Sequence, residues 1–151
     1  MTPVEAEVVQ SKLATINENL KLLRPIAKLS FGEYLEQVYH RKAAERLLQT
    51  TIEAAVDTNS HLLVGSGFPA SADYYQSFMD VAEKLRVFDR AFAEKIAPST
   101  GLRNRLVHEY DELDDAIVFT SIRKTLELYP RYVQAVLLHM QKLAGETESQ
   151  L

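Results

Sequence analysis

The stretch FGEYLEQVYHRKAAERLLQTTIEAAVDTNSHLL, residues 31–63, decides the fold. Phe31, Leu35, Val38, Leu48, Ile52, Ala55, Asn59 and Leu62 recur mostly at steps of three or four, the signature of one helical face. Ser30 stands where an N-cap belongs, with Glu33 three residues on to complete a capping box. Gly65-Ser66-Gly67 ends the run. A helix of this length spans about 50 Å at 1.5 Å per residue, enough to be the central post of a bundle.

Working outward, Val9, Leu13, Ile16, Leu20 and Leu23 mark an apolar face on a first helix from about Pro3 to Leu23, which Arg24-Pro25 is expected to close. After the long helix, Ser71 or Asp73 caps a short one through about Lys84, with Tyr74, Phe78 and Val81 or Ala82 inward. Another runs from Val87 to Ile96 with Phe88, Phe92 and Ile96 four apart, interrupted or followed at Pro98. The last begins near Asp114 or Asp115, acids suited to a helix N-terminus. It carries Ile117, Ile122, Leu126, Tyr129, Val133, Val136, Leu137, Met140 and Leu143, with a kink expected at Pro130. Period-two alternation is lacking. The fold class is therefore all-α, an antiparallel bundle of four to five helices, with residues 1–145 as one domain and 146–151 as a polar, frayed tail.

Composition narrows the function. A chain of 151 residues holds one real core. The absence of cysteine removes disulfides, thiolate nucleophiles and Cys-based zinc sites. Without a long apolar run or a basic-then-apolar start, the chain reads as cytoplasmic, with no membrane partner. A net charge of −4 argues against gripping nucleic acid over the whole surface, but permits a local basic site.

Chemistry concentrates in Arg103-Asn104-Arg105-Leu106-Val107-His108-Glu109-Tyr110, followed by the acidic run Asp111-Glu112-Leu113-Asp114-Asp115. Arg103 offers a permanent cation with a planar donor fork suited to phosphate. His108 exchanges a proton near neutrality, and Tyr110 presents a modifiable phenol. On one helix Arg103 and His108 lie roughly 140° apart. For both to reach one ligand, the helix must end near His108 or a second subunit must complete the pocket. The acids after Val107 favour an ending.

This octad resembles the Arg-x4-His-x-Tyr motif of the HEPN superfamily in its HepT-like toxin branch. Arg103, Asn104, His108 and Tyr110 occupy the motif positions without departure. The order of a first helix, a long second one, a Tyr74/Phe78 helix, the motif and a final helix matches that branch in pattern. The resemblance implies a homodimer and a metal-independent endoribonuclease toxin of a type II toxin–antitoxin system. His108 would be the acid/base group for attack by an RNA 2′-hydroxyl, Arg103 would position the phosphate, and Asn104 would be accessory. No cofactor and no metal are implied, and the RNA would be a tRNA or an mRNA. It further implies a minimal nucleotidyltransferase antitoxin that adds AMP to Tyr110, placing bulk and negative charge beside the catalytic pair. As an alternative, Tyr110 is a packing or stacking aromatic, and the whole chain a non-catalytic module that binds a nucleotidyltransferase or nucleotide.

Other features read as scaffold. His40-Arg41-Lys42 with Arg46 is either an RNA-backbone contact or, preferably, a solvated helix face. His61 and His139 lack metal-ligand spacing. Tyr34, Tyr39, Tyr74, Tyr75, Tyr129 and Tyr132 read as core and interface residues rather than base-stacking platforms.

Overall fold

The computed structural model describes residues 3–149, without the side chains of Tyr110 and of residues 147–149. Among these residues the fold is all-α, as expected, with its helices divided into seven α-helical segments. They are α1 (Ala6–Ala27), α2 (Phe31–Glu36), α3 (Val38–Gly65), α4 (Tyr74–Asp80), α5 (Arg90–Ile96), α6 (Ser99–His108) and α7 (Asp115–Ser149). A π-helical turn, Val81–Leu85, continues α4, and a 3-10 turn, Tyr110–Glu112, follows α6. The helix runs past Glu146 to Ser149, and the last two residues of the expected tail lie outside the described residues.

The long helix of the sequence reading is divided. Ser30 caps α2 through the expected box: Glu33 N donates to Ser30 Oγ at 3.1 Å, and Ser30 N donates to Glu33 Oε1 at 2.9 Å. At Gln37 the backbone leaves the helical region (φ −102°, ψ 89°). This non-helical residue re-phases the chain. α2 buries Tyr34 against Phe119 of α7, ring centroids 4.8 Å apart, while Leu35 and Val38 turn outward, contrary to expectation. α3 then buries its own stripe of Ala44, Leu48, Ile52, Ala55, Asn59 and Leu62. Its 28 residues span about 42 Å.

α1 also departs from expectation, passing through Pro25 to end at Ala27. Ile26 is buried three residues beyond Leu23, so core packing carries the chain past the lost Pro25 donor. The end closes with i→i+3 bonds, Lys28 N to Pro25 O and Leu29 N to Ile26 O. Asp73, the second of the two expected caps, accepts from Gln76 N at 2.7 Å. α5 starts at Arg90 rather than Val87 because Asp89 caps it, accepting from Phe92 N at 2.8 Å. Pro98 occupies the position before α6. Asp114 caps α7, accepting from Ala116 N at 2.9 Å, and Pro130 lies within that helix without dividing it. Of its expected inward residues, Ile117 and Leu137 are exposed.

α1 packs along α3 and α7, and α6 packs across α3. A buried polar knot fixes the layers: Tyr132 Oη lies 2.6 Å from Asn59 Oδ1 and 3.0 Å from the Ala55 carbonyl oxygen. Asn59 Nδ2 donates to Ser77 Oγ at 3.1 Å. At the end of α3, Gly65 meets α1's leading chain so closely that a Cβ would sit 2.8 Å from Val4 N. Gly67 then takes a positive φ of 93° to turn the chain.

Candidate active site at the end of helix α6

α6 is held by Leu102 and Leu106, both buried in the core, which fixes the direction of every other side chain on it. Arg103 consequently faces α3 and α4. Its side chain is 17% exposed, and Nε donates to Glu53 Oε1 at 3.2 Å. The same oxygen accepts from Gln49 Nε2 at 2.8 Å. The guanidinium carbon stands 5.1 Å from the centre of the Tyr74 ring, a cation–π contact. Nη1 lies 3.5 Å from Asn104 Oδ1, at the limit of a hydrogen bond. Anchored through Nε, the arginine keeps the outer N–H groups of its fork for a further acceptor.

The helix ends where the acidic run was expected to end it. His108 is its last residue and is exposed; Glu109 N still reaches Arg105 O at 2.9 Å before the chain turns. No hydrogen bond joins Arg103 to His108 among the described residues. Arg103 is tied to the α3–α4 side and His108 projects from the end. Asn104 is exposed beside Arg103. Tyr110 begins the 3-10 turn one residue past the helix, and its side chain lies outside the described residues.

Glu53 and Gln49 escaped the sequence reading, and Tyr74 entered it only as a packing residue. Glu53 carried a usable signal, as the lone charge between Arg46 and Asp57. Tyr74 was expected inward, yet Tyr74 and Tyr75 are both exposed, as is Tyr39 at 91%. Only Tyr34, Tyr129 and Tyr132 of the six join the core.

The basic stretch on α3 dissolves into separate pairs. Arg41 turns toward α7 and meets Asp115 at 3.5 Å, and Lys42 meets Glu45 at 3.6 Å. Only Lys42 and Arg46 of the stretch are exposed. His61 serves α1, its Nε2 accepting from Glu5 N at 2.8 Å. Among the described residues no three histidine, aspartate or glutamate side chains come together in a metal-binding group. No helix among them is long and apolar enough to cross a membrane.

The structure thus presents an all-α domain with an anchored arginine and an exposed histidine five residues apart at a helix end. The model of the family described as ribonuclease HepT-like matches residues 16–136, and the chain belongs to that family. A relative from Aphanizomenon flos-aquae, a tRNA nuclease HepT, is 34% identical over 148 residues, covering 98% of this chain and all of that one. The tri-AMPylated HEPN toxin of Shewanella oneidensis, solved in complex with its MNT antitoxin, superposes with a TM-score of 0.78 at 20% identity. That match covers 89% of this chain and 99% of the other. A toxin–antitoxin structure with AMP-PNP superposes with a TM-score of 0.77 at 21% identity, covering 87% and 98%. These two likenesses establish the fold.

Proposed function

We propose that this chain is the ribonuclease toxin of a toxin–antitoxin pair and that it cleaves RNA without a metal at Arg103 and His108. The observation that carries the reading is the anchoring of Arg103 by Glu53 and Tyr74 beside a helix that stops at His108. The RNA 2′-oxygen attacks the adjacent phosphorus, forming the O2′–P bond as the P–O5′ bond breaks. An imidazole takes the 2′ proton and an imidazolium supplies the proton to O5′, leaving a 2′,3′-cyclic phosphate and a 5′-hydroxyl. Arg103 holds the phosphate oxygens as charge accumulates on them. The helical phase separating Arg103 from His108 favours a homodimer in which a second copy completes the cleft.

A tRNA is the substrate class we adopt, on the strength of the tRNA nuclease relative. The partner is a minimal nucleotidyltransferase that silences the toxin by adding AMP to Tyr110. The tri-AMPylated toxin among the structural neighbours supports this reading. Position supports it too, since the tyrosine lies two residues past His108, where an added phosphate would compete with RNA for the Arg103 fork.

The test is cleavage of RNA by wild type, Arg103→Ala and His108→Ala in EDTA. Wild type is expected to cut and leave cyclic phosphate ends, and both variants to lose activity by about 100-fold or more, the range of a lost acid/base or charge-stabilising group. Loss of wild-type cleavage in EDTA, or retention by either variant, overturns the assignment. Intact mass after co-expression with the antitoxin should rise by whole AMP units, and Tyr110→Phe should abolish the gain. A gain that persists moves the modification elsewhere.

A further inference from the structure

Beside Arg103 lies a cleft of about 610 Å³ that the phosphate chemistry leaves unused. Asp73 and the start of α4 supply one wall with Tyr74 and Tyr75, and Pro98 and the first turns of α6 supply the other with Thr100, Gly101 and Asn104. We propose that this cleft is a nucleobase subsite, seating a base next to the scissile phosphate; the inference rests on the ribonuclease reading above.

Three observations carry it. First, the cleft adjoins the phosphate-binding group: Tyr74 lies under the Arg103 guanidinium at 5.1 Å, and Asn104 is its chain neighbour and contact. An RNA strand whose phosphate meets Arg103 therefore brings an adjoining base to this spot. Second, the Tyr75 ring is exposed at the cleft wall, while Tyr74 already spends one face on the arginine. Aromatic faces of this kind hold unstacked RNA bases with little regard to sequence.

Third, Gly101 has no internal reason to be glycine. It sits within α6 without a positive φ, and a Cβ built on it meets nothing within 4 Å. Glycine is the poorest helix former after proline, so neither backbone conformation nor crowding within the chain accounts for it. A bare backbone at the cleft floor lets a flat ring approach closely. Thr100 is buried with its hydroxyl committed to the Ala97 carbonyl. Asp73 can only accept, and its Oδ1 is held by Gln76 N at 2.7 Å; the exposed Asn104 amide, which can both donate and accept, is the group suited to the base edge.

Gly101→Leu tests the site, because leucine favours the helix while filling the cleft. Affinity is read in a His108→Ala background, which binds without cutting, using a short RNA with and without a single abasic residue beside the cleavage position. Removal of the base is expected to weaken binding about 5- to 150-fold, the worth of one stacked base. Gly101→Leu should weaken binding of the intact RNA to the same degree and leave the abasic RNA unaffected. Tyr75→Ala should give a smaller loss in the same pattern.

Losses from Gly101→Leu and from the abasic residue that multiply, or a Gly101→Leu variant with normal affinity, would overturn the subsite. So would conversion of a dimer to a monomer by Gly101→Leu in sedimentation, which assigns the cleft to a second copy. If wild type cuts no RNA but the base-dependent loss persists, the nuclease reading falls and the subsite stands.

Discussion

Removing the Glu53 carboxylate separates the orientation of Arg103 from its charge. Glu53 Oε1 and Arg103 Nε are 3.2 Å apart, with both side chains less than a third exposed. At an effective dielectric of about 20, unit charges at that distance attract by about 5 kcal/mol before desolvation is subtracted. The net worth of the pair is a fraction of that. Two effects on catalysis oppose each other. The carboxylate weakens the positive potential that a phosphate feels, and it removes freedom that the arginine would otherwise lose on binding RNA. A whole arginine side chain carries about 2 kcal/mol of rotamer entropy. Tyr74 already confines one face of the guanidinium, which leaves about 1 kcal/mol of ordering to Glu53.

Orientation matters most where charge builds up, in the transition state, so the two effects appear in different constants. Glu53→Ala is expected to lower kcat about 5- to 10-fold, since 1.36 kcal/mol is tenfold in rate, with KM unchanged or reduced. Glu53→Gln keeps an acceptor for Nε and should return kcat to within about threefold of wild type on the same scale. Initial rates across a range of RNA concentration, with a thermal melt of each variant, read the split. Wild-type kcat in Glu53→Ala refutes the reasoning. A Gln variant as slow as the Ala variant also refutes it, by placing the effect on charge.

Two further predictions concern the scaffold. The Tyr34 hydroxyl is buried without a hydrogen-bond partner among the described residues, and burial, followed by the charges of Glu45 and Asp115, pushes its phenol up to about 12. Tyr34→Phe should therefore raise Tm by about 2–4 °C, the equivalent of 1 kcal/mol at this size. Tyr132→Phe, which strips Asn59 Oδ1 of a donor at 2.6 Å, should lower Tm by at least as much. Calorimetry of both variants checks the pair, and a fall for Tyr34→Phe counts against it. Burial pushes His139 below its ordinary value of 6.5, with Glu146 pulling upward and Lys142 downward. The unfolded chain then binds the proton more readily than the folded one, so stability falls as pH drops below about 6.5. His139→Gln should shallow the decline of Tm between pH 7.5 and 5.5, and an unchanged slope would exclude His139 as its source.

What was legible in the sequence was local. The Ser30/Glu33 box, the Asp73 cap and the end of α6 before the acidic run each depend on residues a turn apart, and each is where the spacing puts it. The break at Gln37 is not local. It follows from docking Tyr34 against Phe119 on the far helix, and nothing within residues 31–63 records that partner. The passage of α1 through Pro25 likewise depends on Ile26 finding the core. The same distinction divides the site. Arg103, His108 and Tyr110 stand out because the motif is contiguous, whereas Glu53 and Tyr74 reach Arg103 only through the packing of α3 and α4 against α6.

That division bears on mechanism. Leu102 and Leu106 lock the phase of α6, and Glu53 then commits Arg103 to one flank while His108 leaves from the helix end. Arg103 and His108 sit on one helix, so no rotation of it draws them together, and turning it to re-aim either one exposes the two leucines, at about 1.5–3 kcal/mol each. On the proposed mechanism, convergence on one phosphate would come from outside the helix, from the RNA spanning the gap and from a second copy supplying the facing wall. A site assembled in this way is weak until its parts meet. On the proposed reading, AMP added at Tyr110, two residues past His108, would then suffice to keep RNA from bridging them without unfolding anything.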